Sequence, residues 1–170
     1  TMRLFAEEKR SGTLELLLTY PVRDGEILLG KFLAAGALYV LLLALTLLYP
    51  AMVSHFARVE WGAVMTGYLG LLLLGGTFLA VGILLSSMTE NQIVAGFATF
   101  GILLGLWVVG WGADFACGTL RTVLQYVSIT DHMDSFSKGV LDTKDVVYYV
   151  TAMAFALFLA LRSLEAKRWK

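Results

Sequence analysis

The sequence predicts an all-α membrane protein, a polytopic bundle of four transmembrane helices, and two observations support that prediction. Hydrophobic residues make up 58% of the 170 residues and charged residues only 15%, whereas soluble domains average roughly 45–50% apolar and about 25% charged. Four long stretches also lack Asp, Glu, Lys and Arg, and none alternates in polarity as a lipid-facing β-strand does. A helix bonds all its backbone groups internally, so helices are the structure expected in lipid.

The four uncharged stretches have lengths that fit a bilayer. They are residues 32–57, 62–89, 91–113 and 146–161. A spanning helix needs about 20 apolar residues, so the first three suffice, and the fourth suffices if Asp145 and Arg162 lie at the membrane surfaces. We predict spans at about 32–54, 62–86, 91–112 and 145–162. They form a transmembrane domain over residues 25–163, preceded by a cytoplasmic segment (1–24) and followed by a cytoplasmic tail (164–170).

The distribution of basic residues orients the spans. Four crossings place both ends of the chain on one side. Nine of the 13 Lys and Arg residues lie in residues 1–31 and 162–170, and the other four lie on the opposite side. The positive-inside rule therefore predicts cytoplasmic termini in a cell (inner) membrane. The net charge of zero gives no support for a nucleic-acid partner. Because the chain opens directly in a helical pattern, we expect it to be part of a longer protein with further spans.

Several helix ends are predicted from capping residues and proline. Asp24 is expected to cap the first spanning helix, and Pro50 to kink or end it. Ser87-x-x-Glu90 and Thr89-x-x-Gln92 both fit the capping-box pattern, which places a very short turn between the second and third helices. Asp142 is expected to cap the fourth.

The loop over residues 113–144, predicted to lie outside, contains one amphipathic segment. Its apolar residues follow the i, i+3, i+4, i+7 spacing of a helix face, and at nine or ten residues the segment is too short to cross. We predict a helix lying in the outer membrane interface, followed by a turn at Ser137-Lys138-Gly139. The apolar residues of that face are Leu120, Val123, Leu124 and Val127.

No motif predicts catalysis, a cofactor or a metal site. Gly25 to Lys31 fits the G-x-x-x-x-G-K pattern, but Phe32 stands where a phosphate-binding loop needs Ser or Thr, so we interpret the match as chance. The cluster Asp131-His132-Met133-Asp134 is interpreted as an exposed polar loop. The charge-free spans also contain no residue that could drive a proton or ion relay. Work done by this protein would have to come from outside it.

Small residues mark places where helices could approach closely. Gly101-x-x-x-Gly105 is a GxxxG motif and Gly76-x-x-x-Ala80 a looser relative. Packing within one subunit is the favoured interpretation, and a contact between subunits remains open.

The segment before the first span contains a short apolar helix between two breaks. Ser11-Gly12-Thr13 interrupts a charged helix end, Leu14 to Tyr20 forms the short helix, and Pro21 ends it. Such a helix either lies in lipid or docks in a groove of a cytoplasmic partner.

These residues resemble the permease subunits of ABC type-2 exporters, especially the gliding-motility and nitrous-oxide-reductase-maturation types. The resemblance rests on residues 7–18, 21–24, 30–32, 68–73, 86–92 and 136–142. It implies that the four spans are the third to sixth of six, and that Leu14 to Tyr20 is a cytoplasmic amphipathic coupling helix. The implied contact residues for the partner ATPase are Glu8, Arg10, Gly12, Thr13, Leu14, Glu15, Leu16, Leu17 and Tyr20.

The function implied by the resemblance is that of a non-enzymatic permease subunit. Its partners would be an ABC ATPase subunit, a second permease subunit (identical or different) and membrane lipid. Two other function classes stay open at this stage. One is a non-transporting membrane anchor or scaffold. The other is an intramembrane protease using Glu7-Glu8, which the position of these carboxylates beside a span disfavours.

Overall fold

The computed structural model describes residues 24–89, 91–115 and 117–168. Within these residues the chain forms helices and no β-strand, which confirms the all-α prediction. Four helical stretches are long and apolar enough to cross a membrane: Gly25–Val53, Trp61–Met88, Gln92–Gly112 and Thr143–Ala166. The helices are α1 (Asp24–Thr46), α2 (Leu48–Ser54), α3 (Trp61–Met88), α4 (Gln92–Phe115), α5 (Thr119–Val127), α6 (Ile129–Ser137) and α7 (Thr143–Arg168).

The first and last long helices extend beyond the uncharged stretches. Helix α1 begins at Asp24 and includes Glu26 and Lys31, while α7 includes Lys144 and Asp145 near its start. Charged groups are tolerated near helix ends because long side chains reach water and shorter ones find partners in the protein. The predicted coupling helix lies outside the described residues.

The first long helix is interrupted where proline predicts it. Helix α1 ends at Thr46 and α2 begins at Leu48, and the Leu47 N–H lies 3.2 Å from the carbonyl oxygens of both Leu43 and Ala44. Pro50 has no N–H to donate to the Thr46 carbonyl, and its ring crowds that group. The prediction that Pro50 kinks or ends this helix agrees with the interruption at Leu47.

The turn between α3 and α4 is short, as predicted, but a different residue caps α4. The Asn91 side chain accepts a hydrogen bond from the Ile93 N–H at 3.0 Å. Ser87 and Thr89 instead donate their hydroxyls to carbonyls three and four residues back in α3. The capping boxes predicted from these two residues are therefore wrong: near a helix C-terminus such hydroxyls bond their own helix, and Asn directly before the new helix is the stronger cap.

The chain divides into two compact units. Among the described residues, unit 1 contains those of 24–37, 76–101 and 151–168, and unit 2 contains those of 38–75 and 102–150. In unit 1, the start of α1, the end of α3 and the end of α7 meet at a small apolar core. Its buried members are Leu28, Ile83 and Ala160. The partly buried residues packed against them are Ile27, Phe32, Leu84, Leu161 and Leu164.

Unit 2 packs the 113–144 segment against α3 and the start of α7. Helix α5 confirms the predicted amphipathic helix, whereas α6 was not predicted. Gly70 of α3 lies against Phe136 of α6 so closely that a Cβ at residue 70 would sit 2.7 Å from the Phe136 Cβ. The predicted turn after α6 is confirmed. Gly139 adopts a φ of 79° there, and its Cα lies where a Cβ would come within 3.2 Å of the Ala63 Cα, so both conformation and space favour glycine.

Candidate functional site

Helix α1 is the first described element after the predicted coupling residues in the sequence. Those residues, from Glu8 to Tyr20, lie outside the described residues. Leu28, one turn into α1, is 3% exposed and belongs to the apolar core with Ile83 and Ala160. The start of α1 is therefore packed against α3 and α7 through this core.

The four predicted helix-packing residues have contrasting surroundings. Ala80 is fully buried, and a Cβ added at Gly76 would lie 2.5 Å from the Met153 Cε of α7. Gly101 and Gly105 are exposed on α4, and no atom of the described residues lies within 4 Å of a Cβ built on either one. A subunit contact through the second pair stays a prediction.

The most polar buried cluster of the described residues joins α6 to α7. His132 is 6% exposed and Asp145 is 1% exposed. The His132 Nδ1 lies 2.7 Å from the Asp145 Oδ1, and the His132 Nε2 lies 3.1 Å from the Tyr126 carbonyl oxygen. The interpretation of His132 as part of an exposed polar loop is therefore wrong.

The sequence carried one signal for this burial. Ile129, His132 and Phe136 are the buried residues of α6, and their i, i+3, i+7 spacing is that of a helix face. The aspartate partner could not be recognised, because it lies thirteen residues away on a different helix and the contact is tertiary.

Aromatic rings surround the imidazole. The Tyr148 ring stacks on His132 with centroids 4.0 Å apart and planes 19° from parallel. The rings of Tyr126 and Tyr149 approach edge-on, with centroids at 5.8 and 6.3 Å. These rings shield part of the pair from solvent, and the lower local dielectric strengthens its electrostatic interaction.

Two tyrosine hydroxyls add further bonds between α7 and the 113–144 segment. The Tyr148 hydroxyl donates to the Val127 carbonyl at 2.8 Å, and the Tyr149 hydroxyl donates to the Ile129 carbonyl at 2.8 Å. The end of α5 and the start of α6 are thus fixed to the first turns of α7.

The hydrogen-bond acceptors around His132 indicate where the pair of His132 and Asp145 carries protons. Backbone carbonyls only accept, so the Nε2 facing the Tyr126 carbonyl carries a proton. A second proton lies between the imidazole Nδ1 and the Asp145 Oδ1, whichever atom holds it. The Asp145 Oδ2 is buried and has no hydrogen-bond partner among the described residues. The protonated pair is therefore neutral overall.

A polar cleft of about 360 Å³ gives access to the pair. Its lining residues are Thr122, Gln125, Tyr126, Asp131, His132, Ser135, Lys144 and Asp145. Among the described residues, no group of three His, Cys, Asp or Glu is placed to hold a metal ion.

Asp142 caps α7, as predicted. Its Oδ1 accepts a hydrogen bond from the Lys144 N–H at 3.1 Å, and its Oδ2 lies 3.0 Å from the Lys144 ammonium. These contacts lower the pKa of the Asp142 carboxyl below its usual value. Lys144 is thereby held by Asp142 in an exposed ion pair at the mouth of the cleft.

Four helices that are long and apolar enough to cross a membrane define an integral multi-pass membrane protein. The chain belongs to the ABC-2 transporter family, since the family described as ABC-2 family transporter protein matches residues 1–164. The family resemblance inferred from the sequence is confirmed.

Two curated relatives carry the same printed name, probable ABC transporter permease protein NosY. The chain is 40% identical over 111 residues to the one from Pseudomonas aeruginosa and 38% identical over 109 residues to the one from Stutzerimonas stutzeri. Each match covers 59% of this chain and 37% of the relative. The matched region thus represents well under half of those proteins.

Proposed function

We propose that this chain is part of the permease subunit of an ATP-driven exporter and helps to form its translocation pathway. The family match over residues 1–164 carries the proposal. The names of the two relatives agree with it. The absence of Asp, Glu, Lys and Arg from residues 32–57, 62–89, 91–113 and 146–161 also agrees, because a transporter without these groups in the middle of its spans is driven from outside them.

The proposed mechanism places the motor on a separate ATPase subunit that docks on Leu14 to Tyr20. The closed and open states of the ATPase would bind this segment with different affinities. Only such a difference in affinity can shift the equilibrium between two states of the permease. The apolar core around Leu28 is the first described structure to receive the displacement. A second permease subunit would complete the pathway.

Charge substitution in the coupling segment tests this proposal. Leu16→Asp and Leu17→Asp should reduce co-purification of the ATPase subunit with the full-length permease by about tenfold or more, because an apolar contact would then bury an unpaired charge. Leu141→Asp is the matched control, since Leu141 is exposed in the 113–144 segment and should leave ATPase binding unchanged. Undiminished binding by both coupling-segment variants would overturn the assignment. If neither the variants nor the wild type bind an ATPase, the chain is instead an anchor or scaffold.

The proposal includes cytoplasmic termini in the inner membrane, and this is tested by thiol labelling in intact cells. Cys117 is a free, exposed thiol in the 113–144 segment, so a membrane-impermeant maleimide should label it from outside. A Ser11→Cys variant on a Cys117→Ser background should be labelled only after lysis. The reverse pattern would exclude this orientation.

A further inference from the structure

The buried pair formed by His132 and Asp145 connects α6 to α7 through a shared proton. Nothing in the proposed transport function requires a proton at this contact. Its two hydrogen bonds, at 2.7 and 3.1 Å, tie α6 to the first turn of α7 and to the end of α5. A pair of apolar residues of similar volume would hold these helices equally well, because burying two charged groups costs about as much as their attraction returns. The polar pair therefore adds sensitivity to protonation.

We propose that His132 and Asp145 form a proton-dependent latch, closed when the proton between the Nδ1 and the Oδ1 is present and opened when it is lost. The open state frees α6 from α7. This device goes beyond the proposed permease function and does not depend on it.

The surroundings of the pair make loss of that proton decisive. With it, the pair is neutral. Without it, a negative charge remains on Asp145, whose Oδ2 has no hydrogen-bond partner among the described residues and whose side chain is almost fully buried. An unpaired buried charge is strongly destabilising. The negative charge on Asp145 is stabilised most directly if α6 moves away and water reaches the carboxylate.

Other titratable groups near the pair compensate a charge on Asp145 only weakly. On α7, the hydroxyls of Tyr148 and Tyr149 are hydrogen-bonded to backbone carbonyls. The Lys144 ammonium is attracted to Asp145 as well as to Asp142, but it is exposed, so solvent screens that attraction. On α5, Tyr126 contributes its carbonyl and the edge of its ring. Each of these groups is already engaged in the closed arrangement.

The remaining groups around α6 do not compensate a negative charge on Asp145 either. On α6 itself, Asp134 pairs with Lys138, and Asp131 lines the cleft and would add negative charge. Helix α3 faces α6 through Gly70 and Thr66. Helix α4 faces Thr130 through Gly110. Neither of these helices presents a titratable contact among the described residues.

Protons can reach the latch from solvent. Both members of the pair line the polar cleft, together with hydroxyl and amide side chains. The latch is therefore placed to respond to the pH on the side of the membrane that the cleft faces.

The test measures how readily a buried thiol at the start of α6 becomes accessible to a labelling reagent. Ile129→Cys on a Cys117→Ser background places the thiol at a position that is 5% exposed at the start of α6. The full chain is reconstituted in lipid nanodiscs, where both faces are accessible, and labelled with maleimide at about pH 6 and about pH 9. The labelling rate is divided by that of the exposed native Cys117 in the otherwise unchanged chain, which corrects for thiol chemistry. This ratio should rise by about tenfold or more between the two pH values if local opening exposes the thiol.

Two variants and a matched control assign the effect. His132→Gln and Asp145→Asn keep side chains of similar size but cannot hold the shared proton, so each should give the same ratio at both pH values. His55→Gln changes the other histidine of the chain, which is exposed beyond α2, and should keep the full rise. If the labelling ratio does not change with pH in the Ile129→Cys variant that keeps His132 and Asp145, the latch proposal is overturned. A rise that persists in His132→Gln also overturns it. If His132→Gln fails to fold, as judged by size-exclusion chromatography, the wild-type pH dependence and Asp145→Asn still decide.

Discussion

Replacing Gly70 by alanine tests the contact between α3 and α6, because the glycine has no side chain and the facing Phe136 is fully buried. A Cβ at residue 70 would lie 2.7 Å from the Phe136 Cβ and 2.8 Å from its Cγ. Carbon atoms in good contact are about 3.5–4.0 Å apart, so the two helices must separate locally by about 1 Å. The Cβ of Phe136 is bonded directly to the backbone, so a change of rotamer cannot relieve the clash.

The expected magnitude comes from two opposing effects. Overpacking of this kind costs about 1–3 kcal/mol, and replacing a helical glycine by alanine gains roughly 1 kcal/mol of helix propensity. Gly70→Ala should therefore change the free energy of unfolding by between about zero and about 2 kcal/mol, in the destabilising direction.

Gly67→Ala is the matched control for this measurement. Gly67 lies one turn earlier in α3, and no atom of the described residues lies within 4 Å of a Cβ built there. It should show the propensity gain alone, so the two variants should differ by about 1–3 kcal/mol in the free energy of unfolding. The assay is unfolding of the purified chain in detergent, followed by tryptophan fluorescence. If Gly70→Ala is as stable as Gly67→Ala, α3 and α6 do not pack as described.

Three further variants test separate parts of the structure. Tyr149→Phe removes the hydroxyl that donates to the Ile129 carbonyl and should lower the free energy of unfolding by about 0.5–1.5 kcal/mol; an unchanged value would show that this hydrogen bond is not formed. Gly101→Leu should not destabilise the isolated chain, because no atom of the described residues lies within 4 Å of a Cβ built there and leucine favours the helix, but it should weaken association with a second subunit in crosslinking experiments if the GxxxG motif lies at a subunit contact. The Lys144 contacts lower the pKa of Asp142, so the stabilisation by Asp142 is present above the carboxyl's unfolded pKa and is lost as the pH falls through its lower folded value. Asp142→Asn should remove that part of the acid sensitivity in thermal unfolding measured across that pH range, and an unchanged acid profile would exclude the contribution.

The long helices could be predicted because their signal is local. Uncharged stretches of spanning length identified all four, and the absence of an N–H in Pro50 predicted the break at Leu47. Their ends were less predictable. Helix α1 begins at Asp24, within one residue of the start expected from Asp24 as a cap, whereas the uncharged stretch begins only at residue 32. At the α3–α4 turn several capping residues compete, and the backbone geometry selects Asn91.

The 113–144 segment was less predictable because its structure depends on tertiary contacts. Helix α5 has a continuous apolar face and was found. Helix α6 mixes buried Ile129 and Phe136 with charged and polar residues, and His132 became part of its buried face only through a partner on α7. Sequence patterns report which residues avoid water. They do not report which polar residue will be neutralised by another one far along the chain.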